Sequence, residues 1–225
     1  MSPFKTFFAA SGAALALSGA ANAALYSVRD NPANGSSVFA TGLGRSVSIN
    51  YMGTSSTVGA GVFSLQFGND RGWTDFLTFC LQLSERLTLP KEHQLIDGDA
   101  YFPNAANRTA LEILYANFMN SGLGLKDATS AAAMQTIIWE VIEDGAANFN
   151  LTSGAFRLYS ADVRDKANAF WNLILTGQLK PVKFNVLSAR GTQDLIVTEV
   201  PIPGGIFLFG SAVAGFAFAR RQKKG

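Results

Sequence analysis

The sequence holds 225 residues, 48% of them hydrophobic, with 18 Lys+Arg against 16 Asp+Glu and a formal net charge of +2. One histidine and one cysteine are too few for a disulfide framework or a Cys/His zinc site. So small a net charge gives no basis for nucleic acid binding.

Met1 to Ala23 reads as a secretory signal peptide. Lys5 forms a positive start, Phe7 to Leu17 an apolar centre, and Ala21-Asn22-Ala23 an A-x-A cleavage site. The exported body is expected over residues 24–199, a size suited to one domain with a real core, or to two lobes. Setting aside Lys5 and the terminal Arg220, Arg221, Lys223 and Lys224 leaves 13 cations against 16 anions, a net of −3 for the body.

The body opens with strands. Asn31 to Ser36 is a turn cluster, and Arg45 to Tyr51 alternates polar and apolar residues as a half-buried strand does. Gly59 to Phe67 continues in that style, Asn69 to Gly72 turns, and Asp75 to Leu83 is an apolar strand. The period then changes. Thr109 to Met119 places Leu111, Leu114, Tyr115 and Phe118 on one helical stripe, ended by Gly122 and Gly124. A second helix is predicted over Asp127 to Asp144, with Asp127, Thr129 or Ser130 as N-cap and Gly145 beyond its end. A third runs from about Ser160 to Thr176, with Val163, Ala167, Phe170, Trp171 and Ile174 on one side. Strands at Lys183 to Leu187 and Asp194 to Thr198 close the body. The class is α+β: an antiparallel β-sandwich or barrel-like sheet with a three-helix insertion.

Residues 200–225 form a separate segment. Val200-Pro201-Ile202-Pro203 stops the preceding strand, because proline lacks the ladder N–H. Gly204 to Ala219 carries no charge, and Arg220, Arg221, Lys223 and Lys224 follow at once. As a helix the run reaches roughly 24 Å, short of the ~30 Å hydrocarbon core by an amount that snorkelling arginines cover. A buried core helix has this length too. The terminal cations favour a transmembrane helix with its basic side in the cytoplasm. The segment resembles the PEP-CTERM sorting signal of Gram-negative bacteria, in which a proline motif, a hydrophobic helix and a basic cluster are handled by the membrane protease exosortase. Val200, Pro201 and Pro203 match the V-P-E-P pattern, and Ile202 replaces its Glu. The resemblance implies exosortase as a partner and a transient inner-membrane anchor.

Two residues of the body stand out for chemistry. Cys80 is alone in an exported chain, which leaves it an intermolecular bridge, an inert buried thiol or a reactive group. Gln135 falls on the apolar side of the second helix with Ala131, Ala132, Ile138, Trp139 and Ile142, where its amide requires a hydrogen-bonding or a covalent partner. Around these residues the chain resembles the thioester domain of bacterial surface adhesins, in which a strand Cys and the Gln of a T-Q-x-A-(I/V)-W motif condense with loss of ammonia. Phe79-Cys80 matches the aromatic-Cys strand, and Gln135, Ile138 and Trp139 match the motif at its spacing. Met134 stands where Thr is usual, and Ile137 where Ala is usual. The resemblance implies a thioester between Cys80 and Gln135, with Trp139 packed over it as a shape element.

Other candidates are weaker. His93 lies in a polar segment and reads as an exposed loop residue without a nucleophile partner. Asp97-Gly98-Asp99 lacks the spacing of a calcium loop and reads as a solvated turn. Glu140, Glu143 and Asp144 read as the polar face and end of a helix. No cofactor, metal or enzymatic turnover is expected. The expected protein is exported to the cell surface or extracellular matrix, where it attaches covalently to a polysaccharide or surface protein. The alternative is a structural matrix protein that binds without a covalent bond.

Overall fold

The computed structural model describes residues 25–69, 72–176 and 180–197. The signal peptide, the proline motif and the apolar and basic segments of the tail lie outside them, as does the side chain of Phe118. Among the described residues, no helix is long and apolar enough to cross a membrane.

The strands are β1 (Leu25–Asp30), β2 (Phe39–Tyr51), β3 (Thr54–Asn69), β4 (Gly72–Cys80), β5 (Lys91–Asp97), β6 (Phe156–Leu158), β7 (Asn185–Ser188) and β8 (Leu195–Val197). The helices are α1 (Gly98–Tyr101), α2 (Ala105–Ser121), α3 (Ala128–Glu143) and α4 (Ala161–Leu175). Every strand pairing is antiparallel, in the order β1-β5-β7-β8-β4-β3-β2-β6. A further pairing of β1 with β3 closes six of these strands into a ring. The length of β3 allows this. Its first half pairs with β2, and its second half lies between β1 and β4. The expected antiparallel sheet is therefore a barrel, carrying β2 and β6 as a lateral extension.

All three predicted long helices are present, between β5 and β7. Asn104 caps α2 by accepting from the Ala106 and Asn107 N–H groups, so this helix starts four residues before the predicted Thr109. Asp127 proves to be the N-cap of α3, accepting from the Ser130 N–H at 2.7 Å. Helix α3 differs from expectation in its surroundings. It is buried all round from Ser130 to Val141, because it packs on β2 and β3 on one side and on α2 and α4 on the other. Ala131, Ala132 and Ala133 are small enough to permit that approach.

Two strands escaped the sequence reading. In β5, His93 occupies the inward position that an apolar residue ordinarily fills, so the segment lacked an apolar alternation. His93 is fully buried rather than exposed, with Nδ1 3.1 Å from the Lys91 carbonyl, and burial lowers its pKa. The three-residue β6 is too short to show a period. It is held by Asp144, whose carboxylate accepts from the Ala155 and Phe156 N–H groups at 2.8 and 2.9 Å. Gly154 makes this possible: its φ is +105°, and a Cβ there would lie 2.6 Å from the Asp144 carboxylate. Gly154→Ala is expected to destabilise the protein by about 2 kcal/mol or more, from backbone strain together with displacement of that cap. Urea unfolding measures it.

The Asp97–Asp99 segment is likewise built into the fold. Asp97 caps α1 by accepting from the Asp99 N–H, and Asp99 pairs with Arg108 at 2.8 Å and Lys183 at 2.7 Å. Among the described residues, no three His, Cys, Asp or Glu side chains gather to hold a metal.

Candidate functional site

Strand β4 ends at Cys80 rather than at the predicted Leu83. The register with β8 sets Cys80 opposite Leu195, and the next residue, Leu81, donates its N–H to the Asp194 carbonyl at 2.9 Å. The backbone groups of Cys80 therefore point to the other edge of β4, where pairing with β3 has stopped at Phe63 and Thr78. Gln135 fills that gap. Its Oε1 accepts from the Cys80 N–H at 3.2 Å, and its Nε2 donates to the Cys80 carbonyl at 2.7 Å. The carboxamide thus does at the end of β4 what a neighbouring strand would do, and satisfies both ends of the Gln135 amide in a place where only 1% of the residue is exposed.

Trp139 lies one helical turn beyond Gln135, on the same face of α3. Its indole Nε1–H donates to Cys80 Sγ at 3.3 Å, while its ring meets Phe156 edge-on. This corrects the expectation that Trp139 contributes shape alone. Cys80 Sγ also lies 3.9 Å from the Gln82 carbonyl. Burial pushes the Cys80 thiol up to about 12, against the pull of the Trp139 N–H. Phe79 packs edge-on against Tyr115, and Met134 and Ile138 are fully buried. The structure therefore brings Cys80, Gln135 and Trp139 together; Phe79, Met134 and Ile138 adjoin them in sequence and are buried.

A polar cluster beside Cys80 escaped the sequence reading. Gln82 and Asp194 join at two points, Gln82 Nε2 to Asp194 Oδ2 at 2.9 Å and the Asp194 N–H to Gln82 Oε1 at 3.1 Å. The Tyr101 hydroxyl donates to the same Asp194 oxygen at 2.6 Å, and the Ala189 N–H donates to the other at 3.0 Å. Gln193 Nε2 ties down the Gln82 and Glu85 carbonyls. These bonds fix the chain as it leaves Cys80. The bonds from Gln82 and Glu85 to Gln193 and Asp194 span more than 100 residues of sequence, and no local motif announces them.

Glu140 departs most from its expected place. It is fully buried, not on a solvated face; Oε1 accepts from the Asn150 N–H at 2.7 Å, and Oε2 has no hydrogen-bond partner among the described residues. Burial raises its pKa to about 7, with the Asp144 charge adding to the effect. Glu143 is only partly buried, and its pKa is also raised by burial. A surface depression of about 500 Å³, lined by Ala106, Thr109, Ala110, Ile113, Trp171 and Ile174, is almost wholly apolar and offers no convergent reactive groups.

No family model and no curated protein matches the chain. Among solved structures, it is similar to the N-terminal thioester domain of a surface protein from Clostridium perfringens, at 11% identity and a TM-score of 0.43 over 78% of this chain and 99% of that one. It is also similar to the thioester domain of the Staphylococcus aureus TIE protein, at 12% identity and a TM-score of 0.39 over 80% of each chain.

Proposed function

We propose that Cys80 and Gln135 condense to an internal thioester, through which this exported protein attaches itself covalently to an amine or hydroxyl of a surface or matrix molecule. The observation that carries this reading is the two-point clamp of the Gln135 carboxamide on the Cys80 backbone, beside the Cys80 thiol. In the forward step Sγ bonds to Gln135 Cδ, the C–Nε2 bond breaks, and the thiol proton leaves with the nitrogen as ammonia. Charge that develops on Oε1 meets the Cys80 N–H, a donor already in place at 3.2 Å. In the attachment step a target amine bonds to Cδ, the C–S bond breaks, and Cys80 is released as a thiol. Each molecule reacts once, so this is attachment and not enzymatic turnover.

On this reading the sorting segment with Val200, Pro201 and Pro203 delivers the body through exosortase and a transient inner-membrane anchor to the cell surface or matrix. A second reading, a non-covalent structural matrix protein, is favoured by the upward shift of the buried Cys80 thiol, which keeps it protonated and a poor nucleophile. Intact mass decides between them. The unreduced protein is expected one ammonia below its sequence mass, with methylamine adding to Gln135 and freeing Cys80 for alkylation. Cys80→Ala is expected to abolish methylamine labelling. A full sequence mass together with an alkylatable Cys80 would favour the structural protein.

A further inference from the structure

We propose that Trp139 is a catalytic residue of the thioester, its indole N–H stabilising the Cys80 sulfur as the C–S bond forms and breaks. This rests on the thioester reading above. The contact is direct, Nε1 to Sγ at 3.3 Å, and both residues are at most 2% exposed, so water does not compete for it.

The acceptor of that N–H decides its role. An indole nitrogen donates and never accepts, and neutral sulfur is a weak acceptor. A buried N–H aimed at thiol or thioester sulfur is therefore poorly rewarded in the resting protein. A core position that required only bulk would be served by a ring with no donor, and the packing of Trp139 on Phe156 uses only the ring. When a target amine adds to Gln135 Cδ and the C–S electron pair withdraws onto Sγ, the sulfur becomes a thiolate and the same hydrogen bond becomes charge-assisted. The interaction is strongest where the charge is greatest, and this is the condition for lowering a barrier rather than merely binding the ground state. The proton lost by the attacking amine then completes the Cys80 thiol. In the condensation direction the same N–H stabilises the attacking thiolate, in a pocket where burial otherwise opposes its formation.

The Cys80 N–H and the Trp139 N–H divide the work between them. The first faces the side-chain oxygen Oε1 of Gln135 and the second faces the sulfur. Both donors are fixed by one turn of α3 and one strand end.

The test uses the full chain with Trp139 replaced by benzothienylalanine, an isostere with sulfur in place of the N–H, so that shape is kept and the donor is lost. Methylamine opening, followed by intact mass, is expected to slow by about tenfold or more, loss of a single oxyanion donor elsewhere costing about 10²–10³. An isostere that folds by circular dichroism but never loses ammonia also supports the assignment, because condensation needs the same thiolate. A linked isostere that opens at the wild-type rate overturns it and leaves the thioester reading intact. A wild-type protein without the ammonia loss overturns the thioester reading and the assignment with it. An independent readout is the indole proton of Trp139 in the ¹⁵N–¹H spectrum: Cys80→Ala is expected to shift it while Trp73 and Trp171 hold still. No shift would show that the N–H does not bond to sulfur, and would overturn the assignment.

Discussion

In a Cys80→Ala background, where no thioester can form, adding Gln135→Ala is expected to remove about 3–5 kcal/mol of stability. The backbone N–H and carbonyl of residue 80 survive the first substitution, and both rely on the Gln135 carboxamide. Removing it leaves two backbone groups without those partners in a site closed to water, at about 1–3 kcal/mol each, and leaves a cavity as well. Gln135→Glu in the same background separates geometry from chemistry. Its shape is unchanged, but an ionised carboxylate presents an oxygen to the Cys80 carbonyl where Nε2 now donates at 2.7 Å. Only the protonated acid can donate there. The Glu variant is therefore expected to be nearly as damaging as Ala at pH 8 and to recover as the pH falls. Urea unfolding at both pH values measures this, and a loss below about 1 kcal/mol for the Ala variant would show that the clamp is not needed to close the end of β4.

Glu140→Gln is expected to act in the opposite sense and to stabilise the protein at alkaline pH. The folded pKa of Glu140 is raised from 4.5 to about 7, chiefly by burial. The folded state therefore holds the proton more tightly than the unfolded chain does. Stability linked to this group is fully present below pH ~4.5 and is lost as the pH rises to about 7, a total of about 3 kcal/mol. Glutamine keeps an oxygen for the Asn150 N–H and carries no charge to desolvate. Its amide nitrogen inherits the unpartnered place of Oε2, so only part of the penalty is recovered. The expected gain is about 1–3 kcal/mol at pH 8 and near zero at pH 5. Equal effects at the two pH values would mean that Glu140 does not titrate within the fold.

The elements with long periods were legible in the sequence. The α3 and α4 boundaries followed from Asp127, Gly145 and the apolar spacing, and the turn at Asn31 follows an Asx pattern that the Ala33 N–H closes at 3.0 Å. The segments that failed were those whose tertiary role overrode their composition. β5 turns a histidine inward, Glu140 is a carboxylate on a helix buried from every side, and β4 stops early because a side chain takes over its ladder. The proximity of Cys80 to Gln135 was expected from resemblance. The bond from Trp139 to sulfur was not, because the sequence places the ring on the correct face without saying where its nitrogen points. The Gln82–Asp194–Tyr101 cluster joins three distant segments, a relation that exists only in the folded barrel.

The sheath around α3 has a mechanical consequence. A molecule captured at Gln135 would pull on the middle of a helix enclosed by β2 and β3 on one side and by α2 and α4 on the other. Tension could not peel that helix from an edge; it would have to drag the helix sideways through packed layers, loading many contacts at once. Strand β8 is laced on both flanks to β4 and β7. The pull would therefore pass from helix to sheet through packed layers, and such a tether would be expected to resist force as a rivet does, by shear and not by unzipping.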